Sequence, residues 1–204
     1  ILLIIILIRN KVLMGQGLVR GPIAQRLLIC LGMHRMEKDQ EMSILVGREA
    51  PGFISQAVLA NGEVVDDFDL SKFISDKYAA VFFYPLDFTF VCPSEIIAFA
   101  HRTEVLAALG CEVVAISTDS HFTHTAWRNT PVEQGGVGSV PFPMVADMTR
   151  EITSAYGVLS EPRNSYYPAG VAMRATFVID QQGIVRHQVV NDEPLGRSVD
   201  EVIR

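Results

Sequence analysis

From residue 79 onward, apolar runs of strand length alternate with segments whose apolar residues recur every three to four positions, and this alternation most constrains the possible fold. A strand-length run buries its side chains only within a sheet, and a helical stripe buries its own only against another layer. The pattern therefore implies helices packed on a sheet in a layered α/β domain. Residues 80–83, Ala-Val-Phe-Phe, are apolar on both faces and read as a central strand that ends in a loop at Pro85. Residues 93–109 read as a helix with Ile96, Phe99, Thr103 and Leu106 on its inward stripe and Gly110 stopping it. Further strands are expected at 112–117 and 142–146. Further helices are expected at 123–133 and at 149–156, the second ending at Gly157.

Residues 175–179 and 185–190 are two apolar strands around the turn Asp180-Gln-Gln-Gly183, hence an antiparallel hairpin. A βαβ unit followed by a hairpin and a helix is the arrangement of a thioredoxin-like fold, with a central mixed β-sheet flanked by helices. Fold alone does not assign an activity. With 204 residues, 49% hydrophobic and 20% charged, the chain can bury one sizeable core. Its formal net charge of -6 leaves no basic surplus for a nucleic-acid backbone or an anionic membrane, so small neutral substrates or protein partners fit better.

Ile1 to Ile8 is an unbroken aliphatic run without an initial Met, far shorter than the ~20 residues of a membrane span. Positive charge follows the run at Arg9 and Lys11 instead of preceding it, unlike a secretory signal. Residues 1–41 are therefore expected to be an atypical leader, foreign, mistranslated or disordered, before a domain at 42–204. An amphipathic surface anchor is the alternative, which Leu27, Leu28 and Leu31 with Arg20, Arg26 and Arg35 support weakly. At the other end, Ser198 and Glu201 have the spacing of a capping box, so a helix begins there and a C-terminal segment is expected beyond Arg204.

Cysteines occur only at 30, 92 and 111, an odd and sparse set that suits a reducing cytoplasm better than a secreted disulfide framework. No zinc-type Cys/His spacing is present, and no metal or cofactor is expected. His121 and His124 form an HxxH that reads as surface and packing histidines ahead of a metal pair.

Chemistry concentrates at Pro85-Leu-Asp-Phe-Thr89-Phe-Val-Cys92-Pro93. Proline is best tolerated in the first turn of a helix, so Cys92 sits where a helix begins, and the free N–H groups there stabilise a thiolate. Thr89 can turn its hydroxyl toward the sulfur or a substrate oxygen, and Pro85 presents no N–H and can shield the sulfur from water. Thiolate formation alone is weak catalysis. Lowering a thiol pKa from ~8.5 to ~6 raises the thiolate fraction at pH 7 roughly thirtyfold, while nucleophilicity falls about tenfold. A site that splits an O–O bond must also stabilise charge on the departing oxygen. Arg174, just before a strand, is the candidate cation because its fork of donors suits two adjacent oxygens; an ordinary surface arginine is the other reading. Glu95 reads equally as a first-turn carboxylate on the helix dipole, and Arg197 as a solvated residue before the last helix. A Cys–His acyl-transfer enzyme, with His101, His121 or His124 activating Cys92, is a competing class, as is a redox-regulated holdase ring.

The segment FFYPLDFTFVCPSEII at 82–97, together with GCEV at 110–113, DSHFTH at 119–124, NTP at 129–131, YGVL at 156–159, VND at 190–192 and GRSVDE at 196–201, resembles the typical 2-Cys peroxiredoxins. These include the bacterial alkyl hydroperoxide reductase C and the eukaryotic thioredoxin peroxidases. The likeness runs from about Ser43 to Arg204, with Pro85, Thr89 and Cys92 matching the PxxxTxxC signature. It implies a peroxidase that reduces hydrogen peroxide and organic hydroperoxides through a sulfenic acid on Cys92. It also implies Arg174 as the active-site arginine, Glu95 and Arg197 as its support, and Cys111 as a packed structural thiol. A thioredoxin-like or AhpF-like flavoprotein disulfide reductant would recycle such an enzyme, in antioxidant defence. The family assembles as a homodimer, often five dimers in a decamer; residues 185–190 are similar to its dimer edge, and Phe122 with Thr123 to its ring contact. The family's resolving cysteine lies in a Val-Cys-Pro segment beyond the last residue here, so none is present. Residues 135–138, GGVG, resemble the GGLG loop of peroxide-sensitive members.

Overall fold

The structure is a computed structural model that describes residues 44–161 and 168–204, together with three short strands nearer the N-terminus. The chain divides into two compact units, Ile1–Asp39 and Gln40–Arg204. In the first, β1 (Ile6–Ile8), β2 (Lys11–Met14) and β3 (Gly17–Val19) form an antiparallel meander in the order β1-β2-β3. Most of the leader expected at 1–41 lies outside the described residues.

In the second unit a seven-stranded mixed sheet runs in the order β10-β9-β6-β7-β8-β4-β5. Its strands are β4 (Ile54–Val58), β5 (Val64–Asp69), β6 (Tyr78–Phe83), β7 (Cys111–Ser117), β8 (Met144–Ala146), β9 (Arg174–Ile179) and β10 (Val185–Asn191). Its helices are α1 (Leu70–Phe73), α2 (Cys92–Ala108), α3 (His121–Asn129), α4 (Glu151–Ala155) and α5 (Val199–Ile203). β6 and β7 are parallel and joined through α2, whereas β9 runs antiparallel to β6.

Strand β6 explains why the sheet is buried on both faces. Ala79, Val81 and Phe83 belong to one core cluster, which also holds Ile152 of α4 and Tyr156; Ala80 and Phe82 belong to a second with Ile96 and Phe99 of α2 and Trp127 of α3. Successive strand residues point to opposite faces, so one apolar run supplies both cores. Phe82 stacks on Phe99 with ring centroids 4.2 Å apart and planes 2° from parallel. On the other face Phe83 packs on Tyr156 at 5.0 Å and edge-on to Phe177 at 5.8 Å.

The central strand, α2 and the β9–β10 hairpin lie where the hydrophobic pattern expects them, and Gly110 follows the end of α2 with φ 71°. The helix expected at 123–133 instead spans His121–Asn129. Ser120 caps it by accepting from the Thr123 N–H at 3.2 Å. It stops because Thr130 precedes Pro131 and takes an extended conformation, leaving a separate 3₁₀ turn at Val132–Gln134. The strand expected at 142–146 shortens to β8 because Pro143 has no N–H to give. The helix expected at 149–156 shortens to α4, since Arg150 adopts a left-handed φ of 64°. Only half of the expected capping box forms at α5: Ser198 accepts from the Glu201 N–H, but the Glu201 carboxylate pairs with Arg204. The β4–β5 hairpin and α1 have no counterpart in the sequence reading. A register shift between Ser55 and Ala57 breaks the period-two signal, and Val64, Asp66 and Asp67 face solvent.

Truncating Phe82→Ala removes the ring that stacks on α2 and borders Phe142, and should cost about 3–5 kcal/mol. Urea unfolding followed by far-UV circular dichroism checks this, with a lower midpoint and an unchanged slope expected.

Candidate active site

The antiparallel register that pairs Phe83 with Ala175 sets the first residue of β9 beside the last residue of β6. The chain leaves β6 there, passes through Pro85 and Thr89, and enters α2 at Cys92 with Pro93 in its first turn. The turn is tight: Phe88 has φ 53°, a left-handed conformation unusual for a bulky residue. Pro85 is buried, and the Cys92 side chain is 0% exposed.

One guanidinium faces the sulfur, and it shares a carboxylate with a second guanidinium. Arg174 Nη1 lies 3.3 Å from Cys92 Sγ and also donates to Glu95 Oε2 at 2.6 Å. Arg197 grips the same carboxylate from the other side, giving its backbone N–H and Nε to Oε1 at 3.0 Å each and Nη2 to Oε2 at 2.9 Å. Arg197 Nη1 also donates to the carbonyls of Phe83 and Ala175, tying both strand ends to the helix that carries the cysteine. Its guanidinium lies over the Phe82 ring, 5.0 Å from the centroid. Burial pushes the Glu95 carboxyl up, but the Arg197 guanidinium and then Arg174 outweigh it and hold the group below the ordinary carboxylate range. Arg174 is held at its other end by Glu193, whose backbone carbonyl accepts from Nε at 2.8 Å.

The loop before the cysteine is pinned from beneath. His124 Nδ1 lies 2.7 Å from Asp87 Oδ2 and its Nε2 lies 3.2 Å from the Val145 carbonyl, so the buried ring is held at both nitrogens. Tyr84 adds its hydroxyl to Asp87 at 2.8 Å, and burial followed by the Asp87 charge pushes that phenol up. Asp119, in turn, accepts from the Asp87 N–H at 2.9 Å.

The model of the AhpC/TSA family matches residues 46–188, more than half of the chain. The chain belongs to the AhpC/TSA family. It is 46% identical over 160 residues to the alkyl hydroperoxide reductase C of Buchnera aphidicola, covering 78% of each chain. It is 47% identical over 159 residues to Peroxiredoxin-1 of Gallus gallus, covering 78% of this chain and 76% of that one. Among solved structures, the reduced 2-Cys peroxiredoxin of Plasmodium vivax superimposes with a TM-score of 0.73 at 41% identity, covering 79% of this chain and 80% of that one. The fold is thus the thioredoxin-like α/β class, and the chain is a thiol-dependent peroxidase of the peroxiredoxin kind.

All six residues singled out in the sequence occur around this one corner of the sheet, though not all as expected. The Thr89 hydroxyl donates to the Leu86 carbonyl at 3.0 Å, so toward the sulfur it can act only as an acceptor. Glu95 spends both oxygens on arginines, and Arg197 is not a solvated surface residue. The histidines offered as alternative bases lie elsewhere: His101 is exposed, His121 pairs with Gln56, and His124 is committed to Asp87 and Val145. Burial pushes the Cys111 thiol up to about 11, which leaves it a packed, unreactive group. Sequence reasoning missed Glu193 and the Tyr84–Asp87–His124 anchor. The anchor carried one signal, an Asp inside the signature loop and a His on the buried face of a helix, but nothing in one dimension pairs them.

Because the folded-state Glu95 carboxyl is lowered, its contribution is fully present above the ordinary value near ~4.3 and is lost as pH falls through the folded value. Glu95→Gln leaves two buried guanidiniums without a counter-charge and should cost about 3–5 kcal/mol at neutral pH. Urea midpoints of both proteins measured between about pH 7 and pH 3 should converge in acid, as the wild type loses what the variant already lacks.

Proposed function

We propose that Cys92 is the nucleophile of this peroxidase and that Arg174 stabilises the charge that develops as the O–O bond breaks. The observation that carries this reading is one guanidinium nitrogen 3.3 Å from the sulfur, held by carboxylate and carbonyl acceptors that prevent it from swinging away. The thiolate attacks one oxygen of the hydroperoxide. An S–O bond forms as the O–O bond breaks, the electron pair passes to the departing oxygen, and that oxygen takes a proton and leaves as water or alcohol. Cys92 is left as a sulfenic acid. Arg174 remains protonated throughout and acts through hydrogen bonds to the two oxygens, which strengthen as negative charge accumulates.

Glu95 and Arg197 act as positioning residues that fix the guanidinium. Thr89, with its proton given to Leu86, accepts the O–H of the incoming hydroperoxide and orients it. Pro85, buried and without an N–H, keeps that end of the site from competing for the sulfur. The sulfenic acid is returned to the thiol in two steps. A second thiol condenses with it, releasing water and forming a disulfide, and a thioredoxin-like or AhpF-like flavoprotein reductant then reduces that disulfide.

Two features support assembly into dimers and a ring. Among the described residues β10 lies at the edge of the seven-stranded sheet, beside β9, and the Phe122 side chain at the start of α3 is 74% exposed. Among the described residues no helix is long and apolar enough to cross a membrane, and a reducing cytoplasm suits a site that must begin its cycle as a thiol.

Arg174→Ala should slow oxidation of Cys92 by hydrogen peroxide on the order of a hundredfold or more, read as thiol loss in stopped flow, and Arg174→Lys should recover only a small part. A wild-type Cys92 that reacts no faster than a free cysteine would overturn the reading.

A further inference from the structure

We infer that Glu193 sets the charge preference of this site, favouring uncharged hydroperoxides over those that carry a negative charge; this rests on the peroxidase reading. Its carboxylate Oε1 lies 3.4 Å from Arg174 Nη2, the opposite end of the guanidinium from the nitrogen that faces the sulfur. The other charged side chains of the network are sealed: Arg174 is 1% exposed, Glu95 4% and Arg197 2%, whereas Glu193 is 35% exposed. Among the described residues, Glu193 is therefore the member of this network that meets solvent at the guanidinium.

Charge balance gives this position its consequence. With Cys92 as thiolate, the two buried anions, sulfur and Glu95, are matched by the two buried cations, Arg174 and Arg197. Among the described residues, the Glu193 carboxylate is an additional negative charge on that set, and it lies on the solvent side of the guanidinium. A neutral hydroperoxide approaching the guanidinium gains hydrogen bonds and meets no net repulsion. One bearing a carboxylate must bring its charge toward the Glu193 carboxylate, at short range and next to a low-dielectric wall where repulsion is only partly screened. Glu193 acts in two separable ways: its backbone carbonyl positions Arg174, and any side chain preserves that bond, while its carboxylate alone carries the charge.

The test measures second-order rate constants for Cys92 oxidation with two matched probes, a short tertiary alkyl hydroperoxide bearing a carboxylate and its uncharged methyl ester. The readout is the ratio of the two constants. In Glu193→Gln the ratio of anionic to neutral should rise on the order of tenfold at low salt, and the gain should shrink as salt is added. Glu193→Asp, which keeps the charge, should stay near the wild-type ratio. A purely structural role would move both constants together. A ratio unchanged in Glu193→Gln, with both probes still consumed, overturns the inference while leaving the peroxidase intact. Wild-type protein that consumes neither probe overturns the peroxidase reading, and this inference with it.

Discussion

A single buried carboxylate organises the site. Glu95 lies in the first turn of α2, Arg174 opens β9, and Arg197 comes from the loop between β10 and α5, so three segments far apart in the chain meet on one pair of oxygens. Two guanidiniums could not be brought out of water side by side without that anion between them. The same contacts join helix to sheet, because Arg197 also bonds the carbonyls at the ends of β6 and β9. The electrostatics of the site and the packing of the domain are consequently one structure.

Orientation follows from where this triad sits. Glu95 takes a hydrogen bond from the Arg174 nitrogen that also faces the sulfur, and Glu193 holds the other nitrogens. The guanidinium is fixed before any substrate arrives, which is what electrostatic stabilisation of a transition state requires: the dipoles need no reorganisation when charge moves. On the far side, the buried His124 ring against Asp87 and Tyr84 fixes a loop whose Phe88 carries an uncommon backbone conformation. A strained turn persists only where its surroundings over-determine it, and three buried polar groups do that here.

Much of this was legible in one dimension, for reasons that vary by element. The apolar run of β6, the stripe of α2 and strand β9 carry strong patterns because most of their apolar residues are buried, and the turn after β9 marks the hairpin to β10. The β4–β5 hairpin was illegible because it is bulged and half-exposed, which erases alternation. Cys92, Thr89 and Pro85 could be named because they are neighbours in sequence. Arg174 by itself could equally have been a surface residue, and its partner Glu193 carried no signal, since a glutamate beside aspartate and proline in a loop is ordinarily solvated.

Residue order alone settled the class of fold, the cysteine at a helix start and the proline and threonine around it, because periodicity and local backbone preference act over a few residues. Tertiary structure decided which cation faces the sulfur, which carboxylate separates the two arginines and which one reaches the solvent-facing rim. Those choices depend on strand register and sheet order, which bring residue 92 together with residues 174, 193 and 197. Coulomb energy depends on separation in space and on burial, and neither is a function of separation along the chain.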